Sequence, residues 1–119
     1  IIICNIDFNQ LKTLYDKMKI TYKKIVPYPS INRDIAILVH LDVKHSQIVE
    51  TIFESGSNLL KEVNLFDIYE DENLNKNTKS MAYSLEFQSS DRTLTIKEID
   101  KEMILIIKNL KTKLKAKQR

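Results

Sequence analysis

Arg33-Asp34-Ile35-Ala36-Ile37-Leu38-Val39-His40-Leu41 is the stretch from which the fold can be read. Ile35, Ile37, Val39 and Leu41 alternate with Ala36, Leu38 and His40, the period of two that describes a well-buried strand. Downstream, over residues 46–55, Ile48, Val49, Ile52 and Phe53 fall on one helical face, and Gly56, the only glycine, stands where a helix C-cap is wanted. Two further strands are predicted, from about Leu59 to Glu70 and from Lys79 to Gln88, joined as a hairpin by a polar, Asn-rich connection from Asp71 to Thr78. Thr95 and Glu98 have the spacing of a capping box, ahead of an apolar stripe at Ile99, Met103, Ile106, Leu110 and Leu114.

The order strand, helix, strand, strand, helix is that of an α+β domain, the ferredoxin-like split βαβ arrangement (βαββαβ) without its last strand. Both helices then pack on one face of an antiparallel sheet, and the other face is left for a ligand. A fourth strand would have to come from Lys115 to Arg119, which is poor strand material. Working upstream, Val26-Pro27-Tyr28-Pro29 reads as an extended linker, because each proline fixes its own φ and disfavours helix in the residue before it. Residues 1–24 form a separate extension. A strand is expected over Ile1 to Ile6 and a short amphipathic helix with Phe8, Leu11, Tyr15 and Met18 at helical spacing. The domain boundary is therefore placed near residue 24, with the main domain at 25–119. Because residue 1 is Ile and the chain enters directly on a strand-like run, a fragment of something longer is expected.

A chain of 119 residues with 43% hydrophobic content is enough for one core and too short for two. Cys4 is the only cysteine, which excludes an internal disulfide and any CxxC motif, and a reducing compartment is the simplest reading. The Ile1-Ile2-Ile3 run breaks at Asn5 and Asp7, far short of the roughly 20 apolar residues a membrane span needs. The net charge of +3 hides an asymmetry: the last twelve residues carry six cations and no acid, leaving the other 107 at −3. Such a tail attracts a polyanion in a salt-dependent way, although a solubilising helix end has the same composition.

On the open face the hairpin offers one constellation. Strand alternation puts Leu65, Asp67 and Tyr69 on one side and Phe66 and Ile68 on the other, toward the helices. In the partner strand Met81, Tyr83, Leu85 and Phe87 are the apolar side, opposite Ser80, Ala82, Ser84 and Glu86. If Tyr69 faces Ser80, then Asp67 faces Ala82, and a carboxylate, a phenol ring, a hydroxyl and a small floor meet at the hairpin end. A ring for stacking, a carboxylate for adjacent N–H donors and a hydroxyl of either role suit a nucleobase, guanine best. On patterning alone, Asp67 ending the strand and Tyr69 covering the sheet edge is the commoner reading.

Other chemistry is thin. His40 and His45 lack a second ligand at metal spacing, one glycine cannot build a phosphate loop, and no Ser, His, Asp motif is present. Ala36, Leu38, Ala82 and Ser84 lack the stacking aromatics of a classical RNA-recognition motif. Arg33, Lys79 and Arg92 serve equally as phosphate contacts or structural ion pairs.

Four runs in order carry a resemblance: Tyr28-Pro29 through Arg33-Asp34-Ile35-Ala36, Leu65-Phe66-Asp67-Ile68-Tyr69, Lys79-Ser80-Met81-Ala82-Tyr83-Ser84-Leu85, and Asp91-Arg92-Thr93-Leu94-Thr95. Over about residues 25–114 the chain resembles the C-terminal ferredoxin-fold anticodon-binding domain of bacterial-type phenylalanyl-tRNA synthetase beta subunits. Residues 1–24 look similar to the end of the catalytic-like domain preceding it. The resemblance implies a noncatalytic module that grips the anticodon stem-loop of tRNA(Phe), in the cytoplasm, with no membrane role. A separate alpha subunit would activate and transfer phenylalanine, so ATP and magnesium are expected of the whole enzyme and no cofactor of this stretch. It also implies stacking and hydrogen bonding of the first anticodon base, a guanine, at Asp67, Tyr69 and Ser80, the positions that lie with Ala82 in the constellation above. The competing reading is a ferredoxin-like regulatory or protein-interaction domain using the same open face.

Overall fold

The computed structural model describes residues 1–18, 21–22, 24–69 and 77–119. Its elements run α1 (Phe8–Lys17), β1 (Ile31–His40), α2 (His45–Ser55), β2 (Leu60–Tyr69), β3 (Thr78–Phe87), α3 (Ile96–Leu114) and β4 (Lys117–Gln118). The four strands form one antiparallel sheet in the order β2-β3-β1-β4. β1 and β2, joined through α2, lie either side of β3, which is the split βαβ arrangement.

The core lies between that sheet and two helices. Ile35, Ile37 and Val39 of β1, Met81, Tyr83, Leu85 and Phe87 of β3, Ile48 and Ile52 of α2, and Ile99, Met103, Ile106 and Leu110 of α3 form one buried cluster. Each fully buried aliphatic or aromatic side chain contributes about 1.5–3 kcal/mol relative to exposure, so this sheet–helix contact is the main source of stability. Of the expected α2 stripe, Ile48 and Ile52 are buried, Val49 is partly buried and Phe53 is exposed. The α3 stripe holds throughout, with Leu114 partly buried at its end. Thr95 starts α3, and the Glu98 carboxylate accepts both its backbone N–H (2.9 Å) and its hydroxyl (2.8 Å).

Three expectations are corrected. Ile1 to Ile6 form no strand; they are exposed, and among the described residues no strand partners their backbone. Gly56 caps α2 as expected, donating to Ile52 O at 2.9 Å from an extended backbone (φ −78°), so the left-handed freedom of glycine is not what the position uses. The left-handed cap belongs to Lys115 (φ 52°) after α3, which turns the chain back to the sheet. β4 then forms despite its composition, pairing Lys117 with Leu38 and Gln118 with Ile37. Finally, the β2 register shifts between Leu65 and Asp67, which breaks simple alternation at Phe66. Leu65 pairs with Tyr83 on the helix side and packs on the core, not on the open face. Phe66 and Ile68, expected under the helices, are 60% and 52% exposed.

Within the extension, α1 forms as expected over Phe8, Leu11 and Tyr15, with Met18 at its C-cap. The Asp7 carboxylate accepts from Asn9 N–H (2.9 Å) and Gln10 N–H (3.3 Å). None of its residues is buried. Most of the connection expected over Asp71 to Thr78 lies outside the described residues; Thr78 itself begins β3.

Candidate nucleic-acid interface

The bulge at Phe66 matters because it returns Asp67 and Tyr69 to the open face. Asp67 pairs with Ala82 and Tyr69 with Ser80. Continuing across β3 to β1, Ala82 pairs with Ala36 and Ser80 with Leu38. Leu38 pairs in turn with Lys117, and the Arg119 N–H donates to Ala36 O at 3.0 Å. Two neighbouring cross-strand rows result, Asp67, Ala82, Ala36, Arg119 and Tyr69, Ser80, Leu38, Lys117. Paired residues share a face, so each row carries its larger polar or aromatic groups at the sheet edges and small or aliphatic groups between.

Ala36, Ala82 and Ser80 make a floor, and Asp67, Tyr69 and Arg119 rise around it to enclose a cavity of about 210 Å³. That is below the roughly 300–1,000 Å³ of drug-sized sites and suits a single planar group. Ser80 is 4% exposed and Tyr69 45% exposed. The Arg119 guanidinium carbon lies 5.5 Å from the Tyr69 ring centroid, within cation–π range. The site thus combines an acceptor carboxylate, an aromatic plate, a hydroxyl and a cation over a floor too low to obstruct a flat ligand.

Of the sequence-predicted residues, the structure brings Asp67, Tyr69, Ser80 and Ala82 together and places Arg33, Lys79 and Arg92 elsewhere. Arg33 pairs in register with Leu85 on the helix side and reaches Asp100 of α3 at 3.7 Å, not its neighbour Asp34. Lys79 donates through Nζ to Leu41 O at 2.9 Å. Arg92 grips Glu98 with both terminal nitrogens, at 2.9 and 2.5 Å. The Arg92 hydrogen bonds, helped by the Thr95 N–H and hydroxyl, hold the Glu98 carboxyl down at about 2, and the same partner raises Arg92. Arg119 and Ala36 are additions that sequence reading missed as site residues. Pairing the chain's last residues to β1 as a strand would have found Arg119; the basic composition there pointed to electrostatics only.

A second, larger recess of about 730 Å³ opens where β1 ends beside the C-terminus of α3, lined in part by His40, Asp42, Lys113, Lys115 and Lys117. His40 Nδ1 lies 3.0 Å from Asp42, and Lys113 is tied to Glu54 at 2.6 Å. His45 is engaged inward, its Nδ1 3.1 Å from the Tyr83 hydroxyl and its ring stacked on Tyr83 with centroids 5.7 Å apart. Burial pushes that phenol up to about 12. Among the described residues no three His, Cys, Asp or Glu side chains could hold a metal ion, and no helix is long and apolar enough to cross a membrane.

Comparison with known proteins identifies the family. The chain is 43% identical over 108 residues to the phenylalanine–tRNA ligase beta subunit of Listeria innocua, covering 89% of this chain and 14% of that protein. It is 39% identical over 115 residues to the corresponding subunit of Bacteroides fragilis (97% and 14%) and 38% identical over 118 residues to that of Carboxydothermus hydrogenoformans (99% and 15%). The chain thus spans about one seventh of the length of these relatives. Residues 27–119 match the model of the ferredoxin-fold anticodon binding domain. With that match over the whole sheet-and-helix domain, the chain belongs to the ferredoxin-fold anticodon binding domain family.

Proposed function

We propose that this chain is the anticodon-binding module of a phenylalanine–tRNA ligase beta subunit, and that the small open-face cavity takes the first anticodon base of tRNA(Phe), a guanine. The observation that carries the reading is the convergence of Asp67, Tyr69, Ser80 and Ala82 around one flat-bottomed cavity. Tyr69 supplies the stacking plate, a contact worth roughly 1–3 kcal/mol per base. The Asp67 carboxylate, an acceptor only, matches the adjacent N1–H and N2–H donors of guanine, and the Ser80 hydroxyl serves as donor or acceptor at the floor. The polar row Asp34, Ser84, Asn64 beside the cavity disfavours an apolar protein partner.

In this reading the domain binds and orients, and ATP-dependent phenylalanine activation and transfer belong to the alpha subunit of a larger cytoplasmic enzyme. Residues 25–119 are the binding domain, and residues 1–24, to which the similarity of the Carboxydothermus protein extends, are the end of the preceding part of the subunit.

The test is binding of the chain to a phenylalanine anticodon stem-loop and to a copy with the first anticodon base replaced by adenine, at low and moderate salt. The wild type should prefer the guanine loop, and Tyr69→Ala and Asp67→Ala should each lose roughly 5- to 100-fold, the scale of one stacked or hydrogen-bonded base. Equal binding of both loops by the wild type, matched by both variants, would remove the cavity from the reading.

A further inference from the structure

We infer that the outward face of α3 is a second nucleic-acid surface, separate from the base cavity, which takes the phosphate backbone of an RNA duplex without reading its sequence. Ile99, Met103, Ile106 and Leu110 turn one side of this helix into the core. At about 100° per residue, Lys97, Lys101, Ile104, Lys108 and Lys111 fall within an arc of about 80° on the opposite side. All five are exposed, Ile104 by 65%. The four lysines extend over about 21 Å of helix at a rise of about 1.5 Å per residue. The sheet lies under the core side of α3, so this ridge and the open face that carries the base cavity look in opposite directions.

The acids of α3 leave the ridge uncompensated. Glu98 is held by Arg92 and Thr95, Asp100 lies toward Arg33, and Glu102 accepts from the Ser57 N–H at 2.9 Å. Among the described residues none of the four lysines forms an ion pair. Helix stability accounts for only half of the row. Lys108 and Lys111 lie toward the C-terminus, where the helix dipole favours cations, but Lys97 lies in the first turn, where it favours anions, and has Lys101 as a like-charged neighbour one turn on. An extended polyanion relieves that repulsion along the whole row. A phosphate backbone suits it better than an acidic protein, because lysine is depleted from protein interfaces and Ile104 is the only apolar side chain in the row. A duplex suits it better than a single strand, because strand-binding grooves add aromatic plates for stacking and the row has none. A duplex presents a phosphate charge on the order of every 2 Å of its axis, so a ridge of this length meets several.

The experiment measures binding of the whole chain to a blunt RNA duplex with no loop, across a range of salt. The proteins are wild type, Lys97→Gln with Lys101→Gln, and Lys12→Gln with Lys17→Gln in α1, which removes the same charge from exposed positions elsewhere; each is checked for unchanged thermal unfolding. The ridge pair should lower the slope of log K against log salt by about 1.5–2 and weaken duplex binding roughly tenfold, while the α1 pair keeps the wild-type slope. Equal losses in the two pairs reduce the effect to net charge and overturn the assignment, as does a wild type that ignores the duplex at low salt. Polyglutamate is the competitor: if it displaces the duplex from the wild type at equal charge concentration, the ridge takes an acidic protein and the RNA assignment fails. The preference of the stem-loop for guanine should survive in the ridge pair, and its loss there would overturn the separation of the two surfaces.

Discussion

Gly56 is required for space. A Cβ built there would meet Leu60 Cδ2 at 2.8 Å, Leu60 Cβ at 3.2 Å and Ile52 O at 3.3 Å, while its φ is one that any residue adopts. Gly56→Ala should destabilise the chain by about 1 kcal/mol through overpacking, and by less in a Leu60→Ala background, as read from urea midpoints. Two ionisable groups make the stability of the fold depend on pH. Glu98 is depressed to about 2 in the folded chain, so its contribution is complete above the ordinary carboxylate range and is lost as pH falls from about 4.5 toward 2. Tyr83 is raised to about 12, so its contribution is complete below about 10 and is lost as pH rises from 10 to 12. Glu98→Gln should flatten the acid limb of a stability-against-pH curve and Tyr83→Phe the alkaline limb, each leaving the other limb as it was. The Thr95–Glu98 pair was legible from a three-residue spacing, because capping is local chemistry; the grip of Arg92 on the same carboxylate was not, because it depends on how the preceding loop folds back.

At the scale of elements, period and capping identified β1, α2, the hairpin and α3 to within a residue or two, since each carries its own apolar face. What alternation could not supply was the second of the two register shifts in β2, between Leu65 and Asp67. A single extra residue at Phe66 puts Leu65 against the core and leaves Phe66 outside, the reverse of strict alternation. Leu65→Ala should therefore cost about 1–2 kcal/mol and Phe66→Ala under about 0.5 kcal/mol in denaturant unfolding, although phenylalanine is the larger group. Asp67, Tyr69, Ser80 and Ala82 were nevertheless read correctly as neighbours, because the register was argued from the hairpin end, on the far side of the bulge from Leu65. β4 was illegible for a different reason. Lys117 and Gln118 have little intrinsic preference for a strand, and it is the left-handed Lys115 and the free edge of β1 that pair them.

Across the whole molecule the open face divides by charge. One end carries Asp34, Glu62 and Glu86 and the other carries Lys117 and Arg119, beside the recess flanked by Lys113 and Lys115. Phosphates flanking a base in the cavity are favoured toward the lysine end and disfavoured toward the acids. Lys115→Ala and Lys117→Ala should each reduce the slope of log K against log salt for stem-loop binding by about 1 if a phosphate is met there, whereas Arg33→Ala and Arg92→Ala, whose partners are Asp100 and Glu98, should leave the slope unchanged. The cavity also has unequal walls. β2 is ten residues long and β4 two, so Asp67 and Tyr69 stand on a long edge strand while Arg119 directly follows a short one that frays more readily. If a base binds there as proposed, its association and release should run through the short side: the dwell time of a bound loop would follow the lifetime of two residue pairs at the margin of the sheet, and a change that lengthens β4 should slow dissociation without altering a single group in the cavity.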